Sequence, residues 1–233
     1  VLGQGHDFTY SILAAPMFNQ DRPIGAVILL RDSDQEMYLS DDLQLLTVFG
    51  SQTASAIENA RLYGQMREMN NEIIRSFAQA VEAKDIYTRG HSDQVAYYAT
   101  RLGRELGLSN AELDKLYLAG IVHDIGKIGI PDHILNKPDK LSWDEFSIMK
   151  KHPEVGRNIL AQVGSLQDIL PIIYHHHERI DGKGYPTGLK GSQIPFLARL
   201  VTVVDAFEAM TSDRAYRNAL PLTQVKEIMH SGA

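Results

Sequence analysis

The chain has 233 residues, which is enough for one or two domains with a substantial buried core. Its formal net charge of −6 argues against a nucleic-acid polymer as partner, because such proteins carry a basic face. The chain has no cysteine, which excludes disulfides, thiolate metal ligands and cysteine nucleophiles. We therefore expect a cytoplasmic protein of a reducing compartment.

The N-terminal segment has the pattern of α/β structure. Residues 10–17 and 24–30 are apolar or β-branched runs that predict two strands, and the segment 19–23 between them predicts a turn. Ser40, followed by Asp41 and Asp42, has the composition of a helix N-cap and first turn.

The longest apolar run, 24–30, is far too short to cross a bilayer, and no signal peptide is visible. We therefore expect no membrane contact in this segment of the protein. The chain begins with Val1 rather than methionine and ends at Ala233, soon after a helical pattern, so we expect a fragment of a longer protein.

A long helix is predicted from Leu43 to about Ala83, because this stretch has no proline and only Gly50 and Gly64 interrupt it. Apolar residues recur along it at spacings of three and four, close to a coiled-coil seam. They are Leu62, Met66, Met69, Ile73, Phe77 and Ala80. An isolated helix of this length is marginal, so we expect a homodimer paired through it. The alternative is a helix packed along its own domain.

From about residue 85 onward the pattern is helical. Ser109 and Ser142 begin capping-box sequences that precede apolar periodic runs. Segment 179–195, rich in glycine, is predicted to be one long loop, and such loops are usually functional. The predicted organisation is mainly α: a partial α/β domain over 1–60, a helical linker over 61–84 and an all-helical domain over 85–233.

Histidine and aspartate residues throughout the helical part predict a metal site. His123 and Asp124 stand together where Gly126 is expected to end a helix, and a carboxylate there could bridge two metals. His152 precedes Pro153, which predicts extended geometry and a helix end. Each residue alone has a simpler explanation as a cap or surface group.

Two further pieces strengthen the prediction. Of the three consecutive histidines 175–177, not all can face the same metal, because helical neighbours diverge by about 100°. Asp205 lies in an apolar run, where a carboxylate is costly unless it is paired or metal-bound. The whole set offers more nitrogen and oxygen ligands than one metal needs. It therefore favours a two-metal site, which can activate a water and clamp a phosphodiester.

These motifs, in this order, resemble the HD-GYP domain. The resemblance covers roughly residues 72–230. Its pieces are His123-Asp124, 125–131, His152-Pro153, 176–178, the Gly184-Tyr185-Pro186 loop within 181–186, Asp205 and 209–217. It implies an all-helical fold and hydrolysis of the bacterial second messenger cyclic di-GMP to linear pGpG and, in some members, GMP.

The resemblance also implies residue roles. It implies these metal ligands: His91, His123, Asp124, His152, His176, His177 and Asp205. Asp124 would bridge, and Lys127 would lie near the scissile phosphate. Tyr185 belongs to the family's named loop, and Arg214 and Arg217 match positions that meet substrate phosphate or guanine. The alternatives are a solvated surface charge for the three cations and a packing role for Tyr185.

The chain departs from the family pattern at three positions. Tyr87 stands where some members carry a glutamate that binds a third metal, so we expect two metals. Glu208 replaces a common aspartate, which puts a substrate contact in doubt, and Ile180 replaces a bulkier residue. Iron and manganese are the expected metals, and zinc, nickel and cobalt accept the same ligands.

The N-terminal segment is similar to the last part of a GAF domain, on residues 23–27 and 56–63. GAF domains sense small molecules or simply dimerise, so a small-molecule ligand or an upstream sensor is a further possible partner. Two other readings stay open for the helical domain. One is a different HD-superfamily nucleotide phosphohydrolase, against which the Gly184-Tyr185-Pro186 loop argues. The other is a non-catalytic signalling module, which usually loses metal ligands.

Overall fold

A computed structural model describes residues 10–32, 36–85, 90–212 and 218–231. The chain divides into two compact units, Val1–Asn70 and Asn71–Ala233. The domain boundaries given above stay a prediction. The predicted fold class is confirmed, since a short sheet precedes a helical domain.

The first unit contains an antiparallel hairpin of β1 (Tyr10–Asn19) and β2 (Arg22–Asp32). Both predicted strands and the turn between them are therefore confirmed. Side chains on one face of the hairpin pack with the next helix in a small core of Leu13, Ala15 and Leu46. Buried and exposed residues alternate along the middle of β1, so one face of the strand packs against this core.

Helix α1 (Ser40–Lys84) runs without interruption for 45 residues, so the predicted long helix is present, and Ser40, predicted as its N-cap, is its first residue. In the second unit its buried face is formed by Ala78 and Val81, which belong to the main core. The predicted seam lies on other faces, where its large apolar residues are each about half exposed. They are Leu62, Met66, Met69, Ile73 and Phe77. Pairing with a second copy stays a prediction.

The second unit continues with eight short helices among the described residues. They are α2 (His91–Glu105), α3 (Asn110–Val122), α4 (Asp132–Leu135), α5 (Trp143–Met149), α6 (His152–Leu160), α7 (Leu170–His175), α8 (Phe196–Thr211) and α9 (Leu222–Ser231). Helices α2, α3, α7 and α8 surround one apolar core that includes Val95, Leu116, Ile173 and Val201. None of the described helices combines the length and hydropathy that a bilayer span requires.

Both predicted capping boxes are present. Ser109 accepts from the Glu112 backbone N–H at the start of α3, and Ser142 accepts from that of Glu145 at the start of α5. Each glutamate in turn accepts from the backbone of its serine. These reciprocal bonds satisfy N–H groups that a helix leaves unpaired, and so they fix where both helices begin.

Two local predictions were wrong. His152 is the first residue of α6 rather than an extended residue at a helix end, because a proline is tolerated in the first turn, where its missing N–H would be unpaired anyway. Gly126 does not end α3, which stops at Val122; it lies in the 3₁₀ turn Ile125–Gly129. A Cβ on Gly126 would lie 1.9 Å from the His152 carbonyl oxygen. Glycine is required there because two backbones touch.

The long loop after α7 is largely irregular, as predicted, with a 3₁₀ turn at Gly191–Gln193. The buried side chain of Glu178 is the main hydrogen-bond acceptor for the backbone of this loop. Its carboxylate accepts bonds from the backbone N–H groups of Thr187, Gly188 and Leu189 at 2.7, 3.1 and 3.1 Å. The loop therefore has a fixed shape around one buried charge.

Candidate metal centre

All seven residues predicted as metal ligands converge in the second unit, in two adjacent groups. One group is Asp124, His152, His176 and His177, and the other is His91, His123 and Asp205. Within each group the candidate ligand atoms lie within 4.8 Å of one another. His175 belongs to neither group, in agreement with the prediction that three neighbouring histidines cannot share a metal. Helix α7 ends at His175, so the chain can turn the next two imidazoles towards one point.

Three of the histidines make the same type of hydrogen bond to the backbone. In each, ring Nδ1 bonds to the backbone carbonyl three residues earlier, which directs Nε2 towards the centre. The pairs are His123 with Gly120 at 2.9 Å, His152 with Met149 at 2.9 Å and His176 with Ile173 at 2.7 Å. Because a carbonyl only accepts, Nδ1 of each ring donates this bond, which leaves Nε2 as the nitrogen that faces the centre. This is the tautomer that a metal ligand needs.

The buried Nε2 atom of His123 has no hydrogen-bond partner among the residues that the structure describes. Buried polar atoms are seldom left unpaired, so this atom calls for a ligand. Burial also lowers the pKa of His176 well below its usual value and, with His152 nearby, lowers the pKa of His177 to about 4. Both imidazoles are therefore neutral at pH 7, and the donor set fits a bound divalent cation.

Asp124 lies between the two groups. Its Oδ1 is 3.3 Å from His152 Nε2 and 3.9 Å from His176 Nε2, whereas its Oδ2 is 3.5 Å from His123 Nε2. Burial would raise the pKa of Asp124, but Lys127 and the neighbouring imidazoles outweigh it and hold the pKa well below its usual value. An ionised carboxylate thus presents one oxygen to each group.

His91 is held by carboxylates on both sides of its ring. Nδ1 bonds to Glu208, and Nε2 lies 3.2 Å from Asp205 Oδ1. Burial would lower the pKa of His91, but the bonds to Asp205 and Glu208 outweigh it and raise the pKa to about 10. The second oxygen of Glu208 accepts from Ser212 Oγ at 2.6 Å. Sequence reasoning missed this contact, although spacing of three residues places Glu208 and Asp205 on one face of α8.

Lys127 contacts the same centre through Asp124. Its Nζ lies 2.7 Å from Asp124 Oδ2 and 2.9 Å from Asp85 Oδ2. Burial would lower the pKa of Lys127, but the two carboxylates outweigh it and raise the pKa, so the ammonium stays charged. Asp85 was not predicted as a site residue.

Tyr185 forms part of the wall beside the first group. Its backbone N–H donates to the His177 carbonyl at 3.1 Å, and the two rings lie 4.8 Å apart between centroids. Burial and the charges of Asp124 and Asp205 raise the pKa of the Tyr185 phenol, so it stays protonated at pH 7. Arg214 and Arg217, predicted to meet substrate, lie outside the described residues, as does Tyr87.

The fold and the cluster of imidazoles and carboxylates define a helical metal-binding domain. The family model described as "HD domain" matches residues 56–233, and the one described as "GAF domain" matches residues 2–57. The chain therefore belongs to the HD domain family and carries a GAF fragment before it, which confirms the predicted resemblance.

Curated relatives match along most of the chain. The "3'3'-cGAMP-specific phosphodiesterase 2" of Vibrio cholerae is 37% identical over 90% of this chain and 40% of its own length. The "cyclic di-GMP phosphodiesterase" of Thermotoga maritima is 42% identical over 66% of this chain and 42% of its own length. The chain thus spans less than half the length of these relatives.

Among solved structures, "Bd1817, a HDG"Y"P protein from Bdellovibrio bacteriovorus" matches with a TM-score of 0.53 and 23% identity. The match covers 99% of this chain and 91% of that one. A Vibrio cholerae cyclic GMP-AMP-specific phosphodiesterase matches with a TM-score of 0.52 and 17% identity, over 68% of this chain and 44% of that one. At these identities the two likenesses establish the fold.

Proposed function

We propose that this chain is a metal-dependent phosphodiesterase that hydrolyses cyclic di-GMP to linear pGpG, to GMP or to both. One observation carries the proposal: Asp124 presents one oxygen to each of two groups of imidazole and carboxylate ligands. A binuclear centre suits phosphodiester hydrolysis because two cations clamp the attacking and leaving oxygens of one in-line displacement.

In this proposal the seven clustered residues hold two divalent cations, with Asp124 as the bridge. Iron and manganese are the metals we propose, and zinc, nickel and cobalt fit the same donors. Bound ions of this kind supply an activated water and positive charge beside the phosphodiester. Tyr87 gives no third carboxylate, so we propose two ions rather than three.

The other site residues act on the substrate in this proposal. The charged Lys127 ammonium balances negative charge that develops on the phosphoryl oxygens, and its low exposure of 15% strengthens that interaction. Protonated Tyr185 lies beside His177, where it would offer a hydrogen-bond donor to the substrate. Arg214 and Arg217 are proposed contacts for phosphate or guanine.

The choice of cyclic di-GMP rests on the HD-GYP resemblance, on the intact Gly184-Tyr185-Pro186 loop and on relatives named as cyclic di-GMP phosphodiesterases. A second candidate substrate is 3'3'-cGAMP, because the relative that matches 90% of the chain is named for it. The two dinucleotides share the phosphodiester ring and differ in one base, so the same metal centre serves either.

Three further proposals concern the protein as a whole. The half-exposed apolar seam of α1 supports homodimer formation through this helix. A small molecule or an upstream sensor at the GAF segment would regulate the enzyme. The absence of cysteine supports a cytoplasmic location. The proposed domains are 1–60, 61–84 and 85–233.

The test is anaerobic hydrolysis by protein loaded with ferrous iron or manganese. Cyclic di-GMP and 3'3'-cGAMP are incubated separately, and the products are resolved by chromatography. We expect linear dinucleotide or GMP from cyclic di-GMP, and no product from a folded Asp124→Ala variant. Turnover of 3'3'-cGAMP alone would select the second substrate. A loaded protein that hydrolyses neither would contradict the proposal.

A further inference from the structure

The last turn of α1, taken together with Asp85 directly after it (residues 82–85), contacts three parts of the chain that carry or adjoin residues of the candidate metal centre. Its side chains reach the start of α2, the 3₁₀ turn after Asp124, and Lys127. No sequence motif marked these residues as part of the site. The contacts are nevertheless too specific for an ordinary helix end, because each involves a charged group on a part of the centre.

Glu82 holds the backbone on both sides of His91. Its carboxylate accepts from the N–H of Gly90 at 2.8 Å and from that of Ser92 at 2.7 Å. Gly90 is the N-cap of α2 and makes no side-chain cap bond of its own. Glu82 therefore caps α2 from another helix and adds a favourable charge at its N-terminus. The position of His91 depends on this carboxylate.

Asp85 holds the side chain of Lys127. The two charged groups lie 2.9 Å apart, with side-chain exposures of only 6% for Asp85 and 15% for Lys127. Lys127 also contacts Asp124, so its ammonium is shared between one carboxylate of the proposed bridge and one outside it. Asp85 thus fixes the direction of Lys127 without belonging to the proposed ligand set.

Lys84 joins the end of α1 to the 3₁₀ turn 125–129 and to the residues that follow it. Its Nζ donates to the carbonyls of Ile128 at 2.9 Å and Ile130 at 2.6 Å, while its own carbonyl accepts from Asn136 at 2.9 Å. One turn earlier, Val81 is buried in the main core. A displacement of this end of α1 must therefore move the 3₁₀ turn, His91 and Lys127 together.

We propose that the last turn of α1 is a positioning element for the metal centre, in which Glu82 places His91 and Asp85 places Lys127. The role of Asp85 in turnover rests on the function proposed above for Lys127. The role of Glu82 concerns metal affinity and does not depend on the substrate. A change in α1 would consequently reach catalysis through Lys127 and metal binding through His91.

The experiment uses the whole chain with Asp85→Asn, Glu82→Ala, Lys127→Ala, the Asp85→Asn/Lys127→Ala double variant, and Gln79→Ala as an exposed control on α1. Metal affinity is measured by titration with manganese. Turnover is measured on the cyclic dinucleotide hydrolysed by the wild type. The contact itself is measured by acetylation of Lys127 relative to Lys115, read by mass spectrometry.

We expect Asp85→Asn to keep the metals, to slow turnover roughly tenfold or more, and to raise acetylation of Lys127 several-fold. In the Lys127→Ala background the same change should cause no further loss, because Asp85 acts through Lys127. Glu82→Ala should weaken metal binding roughly tenfold to a hundredfold, and Gln79→Ala should match the wild type.

The role of Asp85 would be overturned if the turnover losses of Asp85→Asn and Lys127→Ala added up in the double variant. It would also be overturned if acetylation of Lys127 were unchanged in Asp85→Asn. Unchanged metal affinity in Glu82→Ala would overturn that of Glu82. Failure of the function proposed for Lys127 can be distinguished from failure of the positioning role of Asp85. Normal turnover in Lys127→Ala contradicts the proposed function of Lys127 itself, whereas slow Lys127→Ala with normal Asp85→Asn contradicts the positioning role alone.

Discussion

Replacing Gly126 with alanine tests how the candidate metal centre is built. Gly126 lies two residues after the proposed bridging ligand Asp124, and it faces the backbone that begins α6. An added Cβ would lie 1.9 Å from the His152 carbonyl oxygen and 2.5 Å from the Gly156 nitrogen. Both contacts are far inside the ordinary van der Waals range of 3.4–4 Å. Both atoms are backbone, so no side chain can rotate away.

The magnitude follows from which parts must move. The clash is relieved only if the start of α6 moves away from the 3₁₀ turn, which also displaces His152. Overpacking of this kind costs typically 1–3 kcal/mol, and a double backbone clash belongs at the upper end, at about 3 kcal/mol. For a chain of this size that corresponds to a fall in Tm of roughly 6–12 °C.

The assay is thermal and urea unfolding of metal-free Gly126→Ala, followed by manganese titration of the folded protein. Gly164→Ala is the matched control, because a Cβ there meets nothing within 4 Å among the described residues. We expect a large loss of stability and weaker manganese binding in Gly126→Ala alone. Equal Tm values for the two variants would refute the close approach of α6 to this turn.

Three further changes have separate expected outcomes. Glu208→Gln should weaken manganese binding roughly tenfold to a hundredfold in a titration, because an amide replaces the carboxylate that bonds to His91 Nδ1. Ser212→Ala, which removes the donor to the second oxygen of Glu208, should have a smaller effect. Glu178→Ala should cost about 1–3 kcal/mol by urea unfolding and speed tryptic cleavage within 179–195, since the loop N–H groups lose their acceptor; unchanged cleavage would contradict this. Gly64→Ala should raise the free energy of unfolding, measured in urea, by about 0.5–1 kcal/mol, because this helical glycine has open space around it among the described residues.

The candidate ligands were predictable from sequence because they are ionisable residues that stand out in apolar helical segments. Three consecutive histidines after 170–174 and Asp205 directly after the run 200–204 have no simple role in a core, and so each indicated a site. The strands, the long helix and both capping boxes were predictable because each is determined by the residues within its own segment.

What the sequence did not reveal depends on contacts between distant elements. Glu82 and Asp85 are ordinary charged residues near a helix end, and only the packing of α1 against α2 and the 3₁₀ turn gives them partners. The predictions for Gly126 and His152 failed likewise, because each was assigned a local role. In the fold their backbones touch, which no reading of the local sequence indicates.

The most direct test of the central claim is the number of divalent ions bound per chain. Protein reconstituted anaerobically with manganese or ferrous iron is desalted and measured by elemental analysis, alongside Asp124→Ala and His175→Ala. We expect two ions per chain in the wild type and in His175→Ala, because His175 lies outside both ligand groups, and fewer in Asp124→Ala. A wild-type protein that binds one ion or none, or an Asp124→Ala variant that keeps both, would contradict the binuclear centre bridged by Asp124.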